Sequence, residues 1–217
     1  MKSYEIILFD LDGTLTDTGR GVTNSVMYAL NKFNIQVENR SELYKFIGPP
    51  LHKSFEEFYG FSPQQAQLAV SYYREYYADK GIYENEVYSG MYELLHKLKS
   101  KGKTLVVATS KPEKFAKIVI ESNNMTQFFD YIAGANMDGT RTIKADIIKY
   151  ALKSVNCDDI STTVIIGDRK HDVIGAKTVG IDSIGVLFGY GSRTELENAG
   201  ATYILENVKD IYDLICR

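Results

Sequence analysis

Two aspartates stand one residue apart in the run Asp10-Leu11-Asp12-Gly13-Thr14-Leu15, directly after the apolar stretch Tyr4-Glu5-Ile6-Ile7-Leu8-Phe9. Side chains alternate along a strand, so extended geometry through this run turns Asp10 and Asp12 to the same side. Gly13 permits a sharp exit with exposed backbone N–H groups. Such a strand end suits a cation and an anion together. One carboxylate can attack an electrophile while a second, close by, acts as a proton donor. The pair points to phosphoryl chemistry.

Further polar groups follow other apolar runs. After Thr104-Leu105-Val106-Val107-Ala108 come Thr109, Ser110 and Lys111, with Pro112 at a helix start, and hydroxyl and N–H groups there suit phosphate oxygens. After Thr163-Val164-Ile165-Ile166 come Gly167-Asp168-Arg169-Lys170-His171-Asp172. Its two outer acids stand at helical spacing and supply the hard oxygens that Mg²⁺ takes. Lys144 opens a helical pattern, where its ammonium can meet an oxyanion or hold a nucleophilic carboxylate ionised.

The elements that position these groups are legible as alternating textures. Short β-rich runs are predicted at Glu5 to Phe9, Thr104 to Ala108, Tyr131 to Ala133, Thr163 to Ile166, Ser183 to Leu187 and Tyr203 to Leu205, with helical patterns between most of them. Leu94, Leu95 and Leu98 form one apolar stripe, stopped by Lys99, Lys101 and Gly102; Ile147, Ile148, Ala151, Leu152 and Val155 form another. Strands separated by helices predict an α/β fold with a doubly wound parallel sheet. Between Gly19 and Lys80 strand texture is absent: Val22, Val26, Leu30 and Phe33 recur at helical spacing, and Ser62-Pro63-Gln64-Gln65 reads as a capping box with proline at the first helical position. The organisation expected is a catalytic core of residues 1–16 and 88–217 with an α-helical cap, residues 17–87, inserted after the first strand. A cap leaving there would act as a lid, since ligands of open α/β sheets bind outside the carboxyl ends of the strands.

With 217 residues, 44% of them hydrophobic, the chain can bury a sizeable core, and its formal charge of −3 gives no basic patch for a nucleic acid. No apolar run approaches the ~20 residues of a membrane span. Met1-Lys2-Ser3-Tyr4 leads straight into a strand rather than a secretory segment, so a cytoplasmic location is expected. Cys157 and Cys216 form no CxxC pair and predict neither a disulfide framework nor a zinc site. His52, His96 and His171 show no catalytic or metal spacing and read as surface residues.

The four strand-end motifs resemble those of the haloacid dehalogenase superfamily, in the branch with a helical cap after the first strand. Asp10-Leu11-Asp12-Gly13-Thr14 matches the first motif, Thr109 the second, Lys144 the third, and Gly167-Asp168 with Asp172 the fourth. Gly48-Pro49-Pro50-Leu51, Thr109-Ser110-Lys111-Pro112 and Gly189-Tyr190-Gly191-Ser192 are similar, more narrowly, to the phosphoglycolate phosphatases. Ala145 follows Lys144 where the family often has proline, so Lys111 is a second candidate for the third-motif lysine. Ser110 stands where this branch commonly has asparagine.

The resemblance implies a Rossmann-like core and a Mg²⁺-dependent phosphatase acting on a small phosphorylated metabolite, phosphoglycolate-like or a 5′-nucleotide. Asp10 would be the nucleophile that forms an aspartyl phosphate, and Asp12 the acid and then the base. Thr109 and Lys144 would complete the catalytic set, and Asp10, Asp12, Asp168 and Asp172 would hold Mg²⁺, Asp12 through its backbone carbonyl. Ser110, Arg20 and Lys53 are the expected substrate contacts, and the protein is expected to be a monomer or homodimer that binds neither nucleic acid nor membrane. A sugar-phosphate mutase could use the same core, and a receiver-like domain phosphorylated on aspartate is a more distant alternative. The plainer reading of each motif is a capped turn: Thr109 as a helix cap and Asp172 as a partner of its own helix dipole.

Overall fold

The computed structural model describes residues 3–138 and 140–216. The chain opens with β1 (Ile6–Phe9) and β2 (Thr16–Asp17), runs through α1 (Gly19–Asn31), α2 (Leu51–Tyr59) and α3 (Pro63–Asp79), and returns along β3 (Glu86–Val87). It continues through α4 (Met91–Ser100), β4 (Thr104–Pro112), α5 (Glu113–Ser122), β5 (Tyr131–Ala135) and α6 (Lys144–Ser154). The last stretch contains β6 (Thr163–Gly167), α7 (Lys170–Val179), β7 (Asp182–Val186), α8 (Arg193–Ala199), β8 (Tyr203–Leu205) and α9 (Val208–Ile215).

Six strands form one sheet in the order β5-β4-β1-β6-β7-β8, and the paired strands are all parallel. From the central β1 the chain winds outward through β4 and β5, then crosses back to β6 and winds the other way, which is the doubly wound order. The winding direction reverses between β1 and β6. Phe9 lies opposite both Val107 and Ile166, so Asp10, Ala108 and Gly167 stand at one level. Because helices cover both faces, β1 is apolar without alternation: Ile7, Leu8 and Phe9 are all fully buried. On one face Leu8, Val106, Ala133 and Ile165 pack with Ile147, Ile148 and Ala151 of α6 and Ala176 of α7. Truncating Ile148 there to alanine is expected to cost about 2–5 kcal/mol.

Each strand expected from the sequence is present, and β4 differs most in extent. β4 continues to Pro112 across a register shift between Ala108 and Pro112, so Thr109, Ser110 and Lys111 lie on extended backbone rather than in a loop. Pro112 is the N-cap of α5 rather than its first residue. Its missing N–H is harmless at such an irregularity, and its fixed φ favours the extended approach.

The chain divides into two compact units, one of Met1–Thr16 with Val87–Arg217 and the other Asp17–Glu86. The second unit is helical, with α1 and α2 both packed on α3. Ser62 and Gln65 form the expected capping box, with Pro63 at the first helical position. Tyr73 and Tyr77 stack at 5.4 Å and are buried, while Tyr72 and Tyr76 are half-buried, which accounts for tyrosines on more than one face of α3. No helix among the described residues is long and apolar enough to cross a membrane.

Candidate active site

The carboxyl ends of β1 and β6, on either side of the reversal, carry the acids. Asp10 directly follows β1, and its N–H donates to Ile166 O at 2.9 Å, extending the ladder by one residue. Asp168 directly follows β6. Asp172 lies in the first turn of α7, where its Oδ2 accepts the Arg169 N–H at 3.1 Å, so Asp172 caps its own helix while Asp168 stays outside it. One oxygen from each of Asp10, Asp168 and Asp172 lies within 4.8 Å of the others, and all three residues are buried.

Lys144, the first residue of α6, is the cation of this cluster. Its Nζ stands 2.9 Å from Asp10 Oδ1 and 2.6 Å from Asp172 Oδ1, and it donates to Ala108 O at 3.0 Å. Burial opposes the charge on Lys144, but the Asp10 and Asp172 carboxylates outweigh it and push the ammonium's pKa upward. Burial raises the Asp172 carboxyl to about 6 against the pull of Lys144. Asp168 is pushed well above the usual carboxylate range by burial first, then by the charges of Asp172 and Asp10. One ammonium cannot balance three carboxylates.

The loop after β7 fixes Asp168. The Tyr190 N–H donates to Asp168 Oδ2 at 2.7 Å, while Oδ1 is buried with no hydrogen-bond partner among the described residues. Gly191 packs so closely that a Cβ there would fall 1.8 Å from Asp168 O. On the other side Gly13, at φ +82°, closes the turn after Asp12, and a Cβ on it would meet Asp168 Oδ2 at 2.3 Å. The backbone of Gly189 to Gly191 thus orients Asp168. Two glycines flanking a tyrosine were the only signal of this close approach.

Asp12 is not in the carboxylate cluster. Its Oδ1 pairs with Lys111 Nζ at 2.6 Å, and the two side chains are 16% and 6% exposed. The two candidate lysines are therefore divided between the two aspartates of the first motif, Lys144 on Asp10 and Lys111 on Asp12. Thr109 is buried within β4, next to the Ala108 carbonyl that anchors Lys144, and its Oγ1 accepts the Lys111 N–H at 3.2 Å. Ser110 beside it is half-buried. Arg20 on α1 and Lys53 on α2 are exposed residues of the helical unit.

The sequence pattern that defines the haloacid dehalogenase-like hydrolases matches residues 7–186, most of the chain. The chain belongs to that family. Within it, a 5′-nucleotidase of Pseudomonas aeruginosa is 45% identical over 193 residues, covering 89% of this chain and 87% of the relative. The tyrosine-protein kinase PtkA of Mycobacterium tuberculosis is 36% identical over 203 residues, covering 94% and 69%. A solved structure described as a predicted phosphatase from Clostridium acetobutylicum superimposes with a TM-score of 0.96 at 49% identity, covering 99% of both chains. A haloacid dehalogenase-like core therefore carries the acids and lysines described above.

Proposed function

We propose that this hydrolase is a divalent-metal-dependent phosphatase of small phosphate monoesters, working through an aspartyl phosphate on Asp10. The observation that supports it best is the buried trio Asp10, Asp168 and Asp172 with Lys144 among them, beside a separate aspartate, Asp12, that has its own cation. The names of the relatives, a 5′-nucleotidase and a phosphatase among them, fit the same reaction class.

The donor set fits a hard cation: carboxylate oxygens gathered within 4.8 Å, including a buried Asp168 Oδ1 with no hydrogen-bond partner among the described residues. Asp10, Asp168, Asp172 and the Asp12 carbonyl would hold Mg²⁺. When bound, it supplies positive charge that offsets repulsion between the phosphate and the carboxylates. Asp10 attacks phosphorus in line with the departing ester oxygen, splitting one displacement into two. Asp12 gives its proton to that oxygen and later takes one from the water that cleaves the Asp10 ester. Thr109 and Ser110 offer hydroxyls to the phosphoryl oxygens, and Lys144 keeps Asp10 charged and oriented. Arg20 and Lys53, charged and exposed, are the groups proposed to read the remote end of the substrate.

The test is a phosphate-release screen over sugar phosphates, 5′-nucleotides and phosphoglycolate, with and without Mg²⁺. Release that needs the metal and is abolished by Asp10→Asn supports the proposal. Conversion of a sugar phosphate to its isomer without phosphate release makes the enzyme a mutase instead. A stable phospho-protein without turnover overturns both. Arg20→Ala and Lys53→Ala should change the ranking of substrates, and an unchanged ranking removes them.

A further inference from the structure

The ion pair between Lys111 and Asp12 joins a residue of β4 to the turn after β1. Lys111 lies two residues beyond Thr109, where β4 shifts register, and its N–H is tied to the Thr109 hydroxyl. Pro112 then stiffens the chain at the α5 cap. The lysine is thus delivered from a constrained stretch of backbone, and its Nζ meets Asp12 Oδ1 at 2.6 Å with both side chains largely out of water. An ammonium so placed holds Oδ1 and restrains the rotation of the carboxylate.

We propose that Lys111 is a positioning residue for proton transfer, acting through Asp12 rather than on the phosphoryl group. This rests on the reading of Asp12 as acid and base. In the first step an Asp10 oxygen forms a bond to phosphorus, the bond from phosphorus to the ester oxygen breaks, and its electron pair goes to that oxygen. The oxygen takes the proton from the Asp12 carboxyl. In the second step Asp12 takes a proton from water as the water oxygen bonds to phosphorus and the Asp10–phosphorus ester breaks, releasing inorganic phosphate. Both transfers need the carboxylate aimed within a narrow range, so freeing it to rotate costs rate without altering the nucleophile.

The effect depends on how much the leaving group needs a proton. Phenoxide is a poorer leaving group than p-nitrophenoxide and gains more from an acid. The experiment measures kcat/KM, which covers the step that expels the leaving group, for phenyl phosphate and p-nitrophenyl phosphate. It uses the wild type, Lys111→Met, Asp12→Asn and the double variant, with Mg²⁺ present. Lys111→Met should lower the phenyl phosphate value at least about tenfold more than the p-nitrophenyl phosphate value, a part of the 10²–10⁴ that a general acid contributes. Asp12→Asn should show the same split, and adding Lys111→Met to it should change little, because the lysine acts through that carboxylate. Equal losses on both esters, or a Lys111→Met effect that multiplies with Asp12→Asn, overturn the positioning role and leave the Asp12 assignment standing. An Asp12→Asn variant with no split overturns both. Lys111→Gln replaces Lys111→Met if the latter fails to fold, and Lys111→Arg should recover part of the split.

Discussion

Lys144 Nζ lies 2.6 Å from Asp172 Oδ1, an ion pair whose side chains are only 4% and 2% exposed. At that depth neither charge is solvated by water, so each depends on the other. Asp10 is the second anion on the same ammonium, which makes Lys144 the shared counter-charge of the proposed nucleophile and a metal-ligand candidate. Lys144→Met should therefore do two things. It should lower turnover at least about a hundredfold, on the scale of losing one preorganised charge in an active site. It should also destabilise the metal-free protein by about 3–5 kcal/mol, the cost of leaving a buried charge without its partner. Steady-state kinetics and urea denaturation read the two effects separately, and wild-type values in both would remove Lys144 from the site.

Asp10→Asn keeps the shape of the side chain and removes the charge proposed to attack phosphorus. Turnover should fall by more than about a thousandfold, as it does when a covalent nucleophile is lost, while the circular dichroism spectrum stays that of the wild type. Trapping with acid after brief exposure to a labelled phosphate ester should label the wild type and not the variant. Label that survives in Asp10→Asn would assign the covalent step to another residue.

Most of this architecture was legible in the sequence because parallel strands buried on both faces write themselves as short unbroken apolar runs. Ile6 to Phe9 and Thr163 to Gly167 are of that kind, and the acids that follow them had to meet if the strands are neighbours. The helical stripe from Ile147 to Leu152 likewise announced the face that packs on the sheet. Legibility stopped where placement depends on side-chain reach across the fold. The Lys111 to Asp12 pairing spans nearly a hundred positions, and no local pattern says which of two lysines turns to which of two aspartates. The Tyr190 N–H bond to Asp168 was hidden for another reason: a backbone donor looks the same in every residue. The extension of β4 through Thr109 to Pro112 was missed because proline reads as a break, whereas here it closes a bulged strand.

Gly191 tests whether the loop after β7 orients Asp168. A methyl group there would fall 1.8 Å from Asp168 O, and the atom it meets is backbone, which cannot swing aside. Gly191→Ala must displace either the loop or Asp168, and with it the Tyr190 N–H that holds Oδ2. The expected result is a rise in the Mg²⁺ concentration for half-maximal activity of about 10–100-fold, the range seen when support around a metal ligand is lost. Saturating Mg²⁺ should restore part of the rate. A variant whose Mg²⁺ dependence matches the wild type would show that Asp168 is held by other means.

The acids themselves predict how metal binding and pH are linked. Without metal, burial raises Asp172 from 3.8 to about 6 and drives Asp168 the same way. For a carboxyl whose folded pKa exceeds its unfolded one, the folded state binds more protons, so the stability it contributes is present at low pH. That stability is lost as pH rises from the unfolded value towards the folded one. The metal-free protein should thus lose part of its stability between about pH 4 and 6 through Asp172, with Asp168 acting in the same sense, while carboxylates lowered by surface ion pairs, such as Glu5 with Lys103, act in the opposite sense. Comparing melting temperatures with and without 10 mM MgCl₂, about a typical excess for such a site, cancels those surface terms. A cation competes with protons for the same oxygens, so the Mg²⁺-induced rise should be small near pH 5 and grow through pH 7.5. A rise that is equal at both pH values, or that persists in Asp168→Asn, would mean that the ion binds elsewhere.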